Sequence, residues 1–314
     1  MLARAMRWCQ RALARLERLA SKREEGQSLA LMRMLVGLAL VLEMGRYCLT
    51  NDGTDVLVFS FADASEGGYR TVEPTLLLGL LGGAHRAALV GLAWCDLICG
   101  VLLLLGLFGR LPAMVAWLLT ASLLGPPAVS GGSDLLLQTS LFTLGLSDCT
   151  RTLSLDARIR TGSFANAELV PAWPRLLALW QLCVMYGATG MQKLVSTAWL
   201  PTDDFSALYQ ILQSPHWARF PALVLDAQGA LVIPAAIATA LTISWELTFP
   251  IALFVRRLRL PFALIGLALH LGIWVTMEVG WFSLLSLAFY PALFPTGLGG
   301  WTRFSAPHET RFSC

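Results

Sequence analysis

The chain has 314 residues, of which 56% are apolar and only 14% carry a charge. Soluble domains contain about a quarter charged residues, so this composition excludes an ordinary soluble protein and indicates a membrane protein. The net charge of +3 does not indicate a nucleic-acid partner, because the basic residues fall in short clusters between apolar runs. We therefore expect one polytopic all-α domain that contacts membrane lipid and no nucleic acid.

The cysteines give no indication of a metal site. All seven are scattered along the chain, without a CxxC pair or a Cys/His cluster of the kind that holds zinc. We expect no metal centre.

Residues 1–26 are predicted to form a basic amphipathic helix. Basic residues recur at every third or fourth position, and apolar residues repeat the same rhythm on another face. Such a helix lies on anionic lipid headgroups; the alternative is a solvated helix that only fixes orientation. The basic positions are Arg4, Arg7, Arg11, Arg15, Arg18 and Lys22.

Eight apolar runs within residues 27–300 have about the length that crosses a bilayer. The fourth run is short for a full span, and the loop Thr75–Leu81 is apolar enough to be re-entrant, so the number of crossings stays open by one. The predicted spans are 28–49, 85–108, 111–129, 134–147, 173–194, 231–254, 261–278 and 281–299.

The positions of Lys and Arg predict the orientation of this bundle. When the spans are threaded alternately, most of the 23 basic residues fall on the side that holds both chain termini. The side rich in Lys and Arg is the cytoplasmic one. We therefore expect a protein of the bacterial inner membrane with both termini, including a tail at 301–314, in the cytoplasm.

Two ionisable residues of the first half are interpreted as structural charges. An ionisable side chain in hydrocarbon costs about 2.5–3.5 kcal/mol, so it must be paired, hydrated or used. Arg33 lies in the first predicted span and Asp96 in the middle of the second. We expect Arg33 to snorkel or to make an interhelical contact, with Asp96 as its partner.

Four titratable residues of the later spans converge on one depth. By the threading, Asp134, Lys193, His270 and Glu278 all lie at the membrane midplane or outward of it. A lysine in an apolar site loses its charge readily and then acts as a base, so Lys193 and His270 are the candidate catalytic residues. The alternatives are a lysine that snorkels at a helix end and a histidine satisfied by an interhelical hydrogen bond.

Glu246 lies well inside the sixth predicted span, four residues before Pro250. Pro250 leaves the backbone carbonyl of residue 246 without its helical partner, and such a kink beside an intramembrane carboxylate often lines a cavity. The alternative is that Glu246 is a structural partner of His270 or of an arginine.

Five stretches, in order along residues 28–295, resemble the sequence of one family. They are Ser28–Gly37; Gly132-Ser133-Asp134 with Leu146-Ser147-Asp148 and Ser154-Leu155-Asp156; Tyr186 to Leu194 with Trp199; Trp245-Glu246-Leu247; and Leu269-His270 with Trp281-Phe282-Ser283. Together they resemble the vitamin K-dependent gamma-glutamyl carboxylase and its bacterial relatives, the horizontally transferred transmembrane (HTTM) family.

The resemblance implies a carboxylase-like activity. In the animal carboxylase, the lysine that matches Lys193 deprotonates reduced vitamin K, oxygenation then generates a strong base that removes a proton from a peptide glutamate, and carbon dioxide adds. It thus implies a reduced quinone as cosubstrate and Lys193 as the base, with His270 matching a family histidine. The candidate substrate- or cofactor-binding residues are Ser133, Asp134, Tyr186, Gln192, Trp199, Glu246 and Glu278.

Three features depart from the family pattern. The histidine that assists carboxylation corresponds to Ser133, and the lysine that precedes the base corresponds to Gln192. We also expect this chain to lack the large lumenal domain with which the animal enzyme binds its substrate. A substrate would then bind to the loops or to a partner protein.

Two functions are compatible with these features. The first is an enzyme that uses a quinol, or another apolar cosubstrate, to modify a secreted peptide or lipid on the outer face; it predicts a lysine-lined cavity open to the outer leaflet. The second is a non-enzymatic maturation, export or immunity partner of a secreted peptide, in which Lys193 is dispensable. Transport of a small anion or proton ranks third, because no inverted repeat supports it.

Overall fold

The computed structural model describes residues 21–70, 74–124, 131–227 and 229–295. These ranges are predominantly helical, which confirms the all-α class. The helices are α1 (Gln27–Leu49), α2 (Asn51–Phe61), α3 (Leu76–Leu80), α4 (Arg86–Leu105), α5 (Leu111–Leu124), α6 (Gly132–Gly145), α7 (Leu155–Thr161), α8 (Trp173–Lys193), α9 (Ala207–Gln213), α10 (Pro221–Asp226), α11 (Val232–Ala252), α12 (Arg259–Thr276) and α13 (Phe282–Ala288).

A helix overlaps each of the eight predicted spans, but the number of crossings is not confirmed. Of the described residues, four helices are long and apolar enough to cross a membrane: α1, α4, α11, and α12 with the 3₁₀ turn before it. The predicted fourth span forms α6, which has 14 residues and is therefore about 21 Å long, against the ~30 Å of a hydrocarbon core. The suspected re-entrant loop contains α3, a helix of 5 residues.

A small antiparallel sheet joins the segment before α1 to the segment before α8. Strand β1 (Arg23–Glu25) pairs with β2 (Leu169–Pro171), so that Glu24 lies opposite Val170. The predicted amphipathic helix therefore does not continue to residue 26. Its first twenty residues lie outside the described ranges, as does the predicted tail at 301–314.

The helix ends meet as alternate threading requires. Arg110 at the start of α5 pairs with Asp148 after α6, at 2.5 Å. Arg175 at the start of α8 binds Glu24 before α1 and also donates to the carbonyl of Ala292, which follows α13. These contacts place the start of α5 beside the end of α6, and the start of α8 beside the start of α1 and the end of α13.

Arg33 joins α1 to the C-terminal end of α4 in the first-half bundle, which we define as α1, α4 and α5. Its side chain is fully buried, and its guanidinium donates to the carbonyls of Leu103 and Leu104 at the end of α4 and to that of Leu153 at 2.6 Å. Carbonyl groups at a helix C-terminus carry partial negative charge and favour a cation. The expected Arg33–Asp96 pair is therefore wrong, because backbone carbonyls and not a carboxylate surround this guanidinium.

Asp96 joins α4 to α5 instead. Its Oδ2 lies 2.9 Å from the hydroxyl of Thr120, and that hydroxyl also lies 2.7 Å from the carbonyl oxygen of Ala116. Asp96 is fully buried, so the two helices meet through this contact inside the bundle.

Candidate functional site

Helix α8 presents three residues of the candidate site along one face. Tyr186, Gly190 and Lys193 follow one another at steps of four and three residues, which places them on one side of a helix. The helix ends at Lys193, and a short loop leads to the 3₁₀ turn Thr197–Trp199. The amine of Lys193 therefore lies at the C-terminal end of this face.

Helix α11 packs closely against that face. A Cβ atom at Gly190 would lie 3.2 Å from the backbone nitrogen of Leu247, and one at Gly187 would lie 3.4 Å from the ring of Pro250. Small residues allow two helix backbones to approach in this way. The approach brings Glu246, one residue before Leu247, to the end of α8.

Lys193 and Glu246 form an ion pair within the bundle. The amine lies 2.5 and 2.6 Å from the two carboxylate oxygens of Glu246, and the side chains are 22% and 11% exposed. The ring of Trp199 lies 5.0 Å from the same amine, which is a cation–π distance. The site residues Lys193, Glu246 and Trp199 are thus brought together, and the carboxylate partners Lys193 rather than His270 or an arginine.

This pairing changes one expectation. The sequence suggested an uncharged lysine amine in an apolar chamber, but the structure places a carboxylate against that amine. A base at this position must therefore first release a proton to Glu246 or to another acceptor. The lysine-lined cavity stays a prediction. A different cavity, of about 380 Å³, is lined by Arg110, Asp148 and Arg151 near the start of α5, and Lys193 does not line it.

A second polar cluster lies two helical turns from Lys193 along α8. The hydroxyl of Tyr186 is 2.7 Å from Nε2 of His270 on α12 and 3.1 Å from the hydroxyl of Tyr290, which follows α13. All three side chains are buried. The rings of Trp245 and Phe249 pack edge-on or tilted against Tyr186, at 4.6 and 4.7 Å between centroids.

The interhelical interpretation of His270 is confirmed for one ring nitrogen. Nε2 meets Tyr186 of another helix, whereas Nδ1 is buried and has no hydrogen-bond partner among the residues that the structure describes. His270 therefore retains an unused hydrogen-bonding position inside the protein.

The remaining candidate residues do not join these two clusters. Gln192 is exposed on α8, and the Glu278 carboxylate pairs with Arg219 at 3.0 Å on the loops. Asp134 caps its own helix by accepting from the backbone nitrogen of Gly131 at 2.8 Å, with Ser133 beside it at the start of α6. These four predicted binding residues therefore have no described contact with Lys193 or His270.

Sequence reasoning missed Tyr290, Trp245 and Phe249 as members of the site. Tyr290 lies in a 3₁₀ turn beyond the regular helix, where helical periodicity gives no signal. Gly266 was the available hint, because a Cβ there would collide with the Tyr290 hydroxyl and the Trp245 ring. A glycine inside an apolar helix marks a position where a neighbour packs closely.

Comparison with known proteins identifies the family. A family model described as the HTTM domain matches residues 22–297. The chain belongs to the HTTM family. Both clusters lie within the matched range, and the family together with the apolar helices makes the chain a multi-pass membrane protein related to the carboxylases. No curated protein and no solved structure matches the chain.

The described residues of this HTTM protein contain no group of three or more His, Cys, Asp or Glu side chains that could hold a metal ion.

Proposed function

We propose that this HTTM protein is a carboxylase-like membrane enzyme in which Lys193 acts as a base toward a reduced quinone. The observation that carries the proposal is the Lys193–Glu246 pair, with distances of 2.5 and 2.6 Å. A lysine beside a single carboxylate in a low-dielectric site has a nearby acceptor for its proton, because transfer leaves two neutral groups and removes two buried charges. Glu246 is thus the positioning residue that receives the proton of Lys193.

The residues around the amine fit a flat, apolar molecule with a hydroxyl group. The amine is partly exposed, so it is accessible, and the ring of Trp199 offers a face on which an aromatic ring stacks. A reduced quinone supplies an acidic hydroxyl group and two electrons. The neutral amine of Lys193 accepts the proton of that hydroxyl, and Trp199 orients the ring.

The second cluster supports the same proposal. Tyr186 lies on the face of α8 that carries Lys193, and its hydroxyl links His270 to Tyr290. This buried chain of donors and acceptors holds α8, α12 and α13 at fixed separations. In the proposed enzyme it positions the helix that carries the base.

We propose a secreted peptide or a lipid as the acceptor of the modification, at the outer face of a bacterial inner membrane. The orientation follows from the Lys and Arg distribution. Ser133 stands where the family pattern has the histidine that assists carboxylation, and Gln192 where it has the lysine that precedes the base.

The test uses purified protein in lipid nanodiscs with reduced vitamin K and oxygen. We expect the wild-type protein to consume the reduced quinone, Lys193→Ala to lose this activity by about two to four orders of magnitude, and Lys193→Arg to stay equally inactive because arginine does not deprotonate. Lys22→Ala is the matched control, since Lys22 is the other lysine and lies outside the bundle. Full activity of both Lys193 variants would contradict base catalysis.

A second candidate function is the non-enzymatic partner of a secreted peptide. It is favoured by the same ion pair, because a lysine held by a carboxylate also serves as a structural contact. In this case neither the wild-type protein nor any variant consumes quinone, and Lys193→Ala leaves the cellular phenotype intact.

A further inference from the structure

Two cavities lined by arginines lie at one end of the bundle, apart from the candidate site. The first, of about 380 Å³, lies between the turn that joins α4 to α5, the segment after α6, and α7. The second, of about 330 Å³, extends toward the small sheet and shares Asp148 and Arg151 with the first. Ligand pockets have volumes in this range. The charges and the apolar groups around them indicate which ligand fits.

The walls of the two cavities carry an excess of positive charge. Among the described residues that line them, four arginines face three carboxylates. One carboxylate, that of Asp156, is engaged by the main chain, because it accepts from the backbone nitrogens of Phe108 and Gly109 at 3.1 and 2.6 Å. The excess charge favours an anion as the ligand. The arginines are Arg23, Arg110, Arg151 and Arg160, and the acids are Asp148, Asp156 and Glu168.

Arg151 lines both cavities and has a loose ion pair. Arg110 lies 2.5 Å from Asp148, and Arg160 lies 2.8 Å from Glu168. Arg151 lies 3.8 Å from the same oxygen of Glu168, which is beyond hydrogen-bond distance, and its side chain is about half exposed. The planar guanidinium group fits two oxygen atoms of a phosphate. Arg151 is therefore the group best placed to bind an incoming phosphate.

Exposed apolar side chains surround the first cavity. Ile159 on α7 lines it and is 77% exposed. Phe108 and Leu111, which are next to lining residues, and Phe164, which follows α7, are also exposed. The turn between the apolar helices α4 and α5 lies where the chain leaves the hydrocarbon, at the level of lipid headgroups. A free anion gains nothing from these apolar groups, whereas a lipid brings its acyl chains beside its phosphate.

We infer that these cavities bind the phosphate group of an anionic phospholipid. Arg151 pairs with the phosphate oxygens, and Ile159 contacts the apolar part of the same lipid. By the threading of the Lys and Arg residues, this end of the bundle faces the cytoplasm, where the leaflet contains anionic lipids. The site is independent of the proposed function, because Lys193 does not line either cavity.

The test is native mass spectrometry of the full-length protein in detergent, titrated with phosphatidylglycerol or with phosphatidylcholine. We expect the wild-type protein to bind its first phosphatidylglycerol molecule more tightly, because only this lipid carries a net negative charge. Arg151→Gln should weaken that binding by about fivefold, the effect of one basic residue at an anionic lipid, and should leave phosphatidylcholine binding unchanged. Since Arg151 is about half exposed, we expect the variant to fold.

Arg257→Gln is the matched control. Arg257 is an exposed arginine before α12, on the side that the threading also assigns to the cytoplasm, and it does not line either cavity. An equal loss in this control would show that only the total charge matters and would overturn the site. Equal wild-type affinity for the two lipids would also overturn it, and this result needs no variant. Displacement of phosphatidylglycerol by equimolar inorganic phosphate would assign the cavities to a free anion and overturn the lipid.

Discussion

The two halves of this bundle satisfy their buried polar groups in different ways. In the first-half bundle, Arg33 is fully buried and donates to backbone carbonyls, and Asp96 meets a threonine hydroxyl. In the second-half bundle, which we define as α8, α11, α12 and α13, Lys193 meets Glu246 and both side chains stay partly exposed.

This difference separates structural charges from candidate reactive ones. A guanidinium bonded to main-chain carbonyls inside the bundle would leave those contacts unmade if it moved, so it contributes stability. A side-chain pair that remains accessible can exchange its proton or contact another molecule. Buried charges such as Arg33 and Arg175 on α8 therefore have a structural role, whereas the partly exposed Lys193–Glu246 pair has a candidate chemical role.

The largest predicted effect would remove the structural charge. Arg33→Met removes the side-chain donor that the carbonyls of Leu103, Leu104 and Leu153 share, and we expect the free energy of unfolding in detergent to fall by about 3–5 kcal/mol. Arg86→Ala is the control, because Arg86 and its ion-pair partner Asp55 are both more than half exposed. A stable Arg33→Met protein would show that the contacts at the end of α4 are dispensable.

The next effect probes the packing around Tyr290. In Gly266→Ala the new methyl group collides with the Tyr290 hydroxyl and the Trp245 ring. We expect a loss of about 1–3 kcal/mol from overpacking, measured by thermal unfolding. Gly272→Ala on the same helix is the control, since a Cβ there meets nothing within 4 Å. Equal stability of the two variants would contradict the close approach.

A smaller effect tests how Asp96 is bonded. A threonine hydroxyl has one proton, and Thr120 has two oxygen atoms within 2.9 Å. If Thr120 donates to the helix carbonyl, Asp96 must be protonated and donate to Thr120. Asp96→Asn keeps a donor there, so we expect a change of less than about 1 kcal/mol, whereas Asp96→Ala should lose about 1–3 kcal/mol. A large loss in Asp96→Asn would indicate an ionised carboxylate.

The smallest effect concerns the loop pair of Arg219 and Glu278. Glu278 is 60% exposed as a side chain, and such pairs contribute about 0–1 kcal/mol. Glu278→Gln should therefore leave both the melting temperature and quinone consumption unchanged. Loss of activity in this variant would return Glu278 to the candidate site.

The sequence was sufficient for the fold class and the family, but it was not sufficient for the pairing of charges. Apolar runs and the motif around Lys193 are local features of the chain, so they can be read directly. Whether Arg33 faces Asp96 or the end of α4 depends on how each helix is rotated about its axis. That rotation is set by contacts such as Gly190 against Leu247, between residues far apart in sequence.

The same limit explains the other corrections. Strand β1 forms by pairing with β2, where Glu24 lies opposite Val170. The repeat of basic and apolar residues within 1–26 gives no sign of this distant partner. The threading predicts the depth of the site for Asp134, yet its carboxylate accepts from the backbone nitrogen of Gly131. Threading along the sequence does not give the lateral position of a residue within the bundle.

The close approach of α8 and α11 at Gly190 also determines how a molecule reaches the amine. Because the two backbones are in contact there, these helices cannot separate without breaking their packing along several turns. Trp199 lies on the short turn after α8 and takes no part in the helix contact at Gly190. A molecule therefore reaches Lys193 from the end of α8, beside the ring of Trp199, and not between α8 and α11.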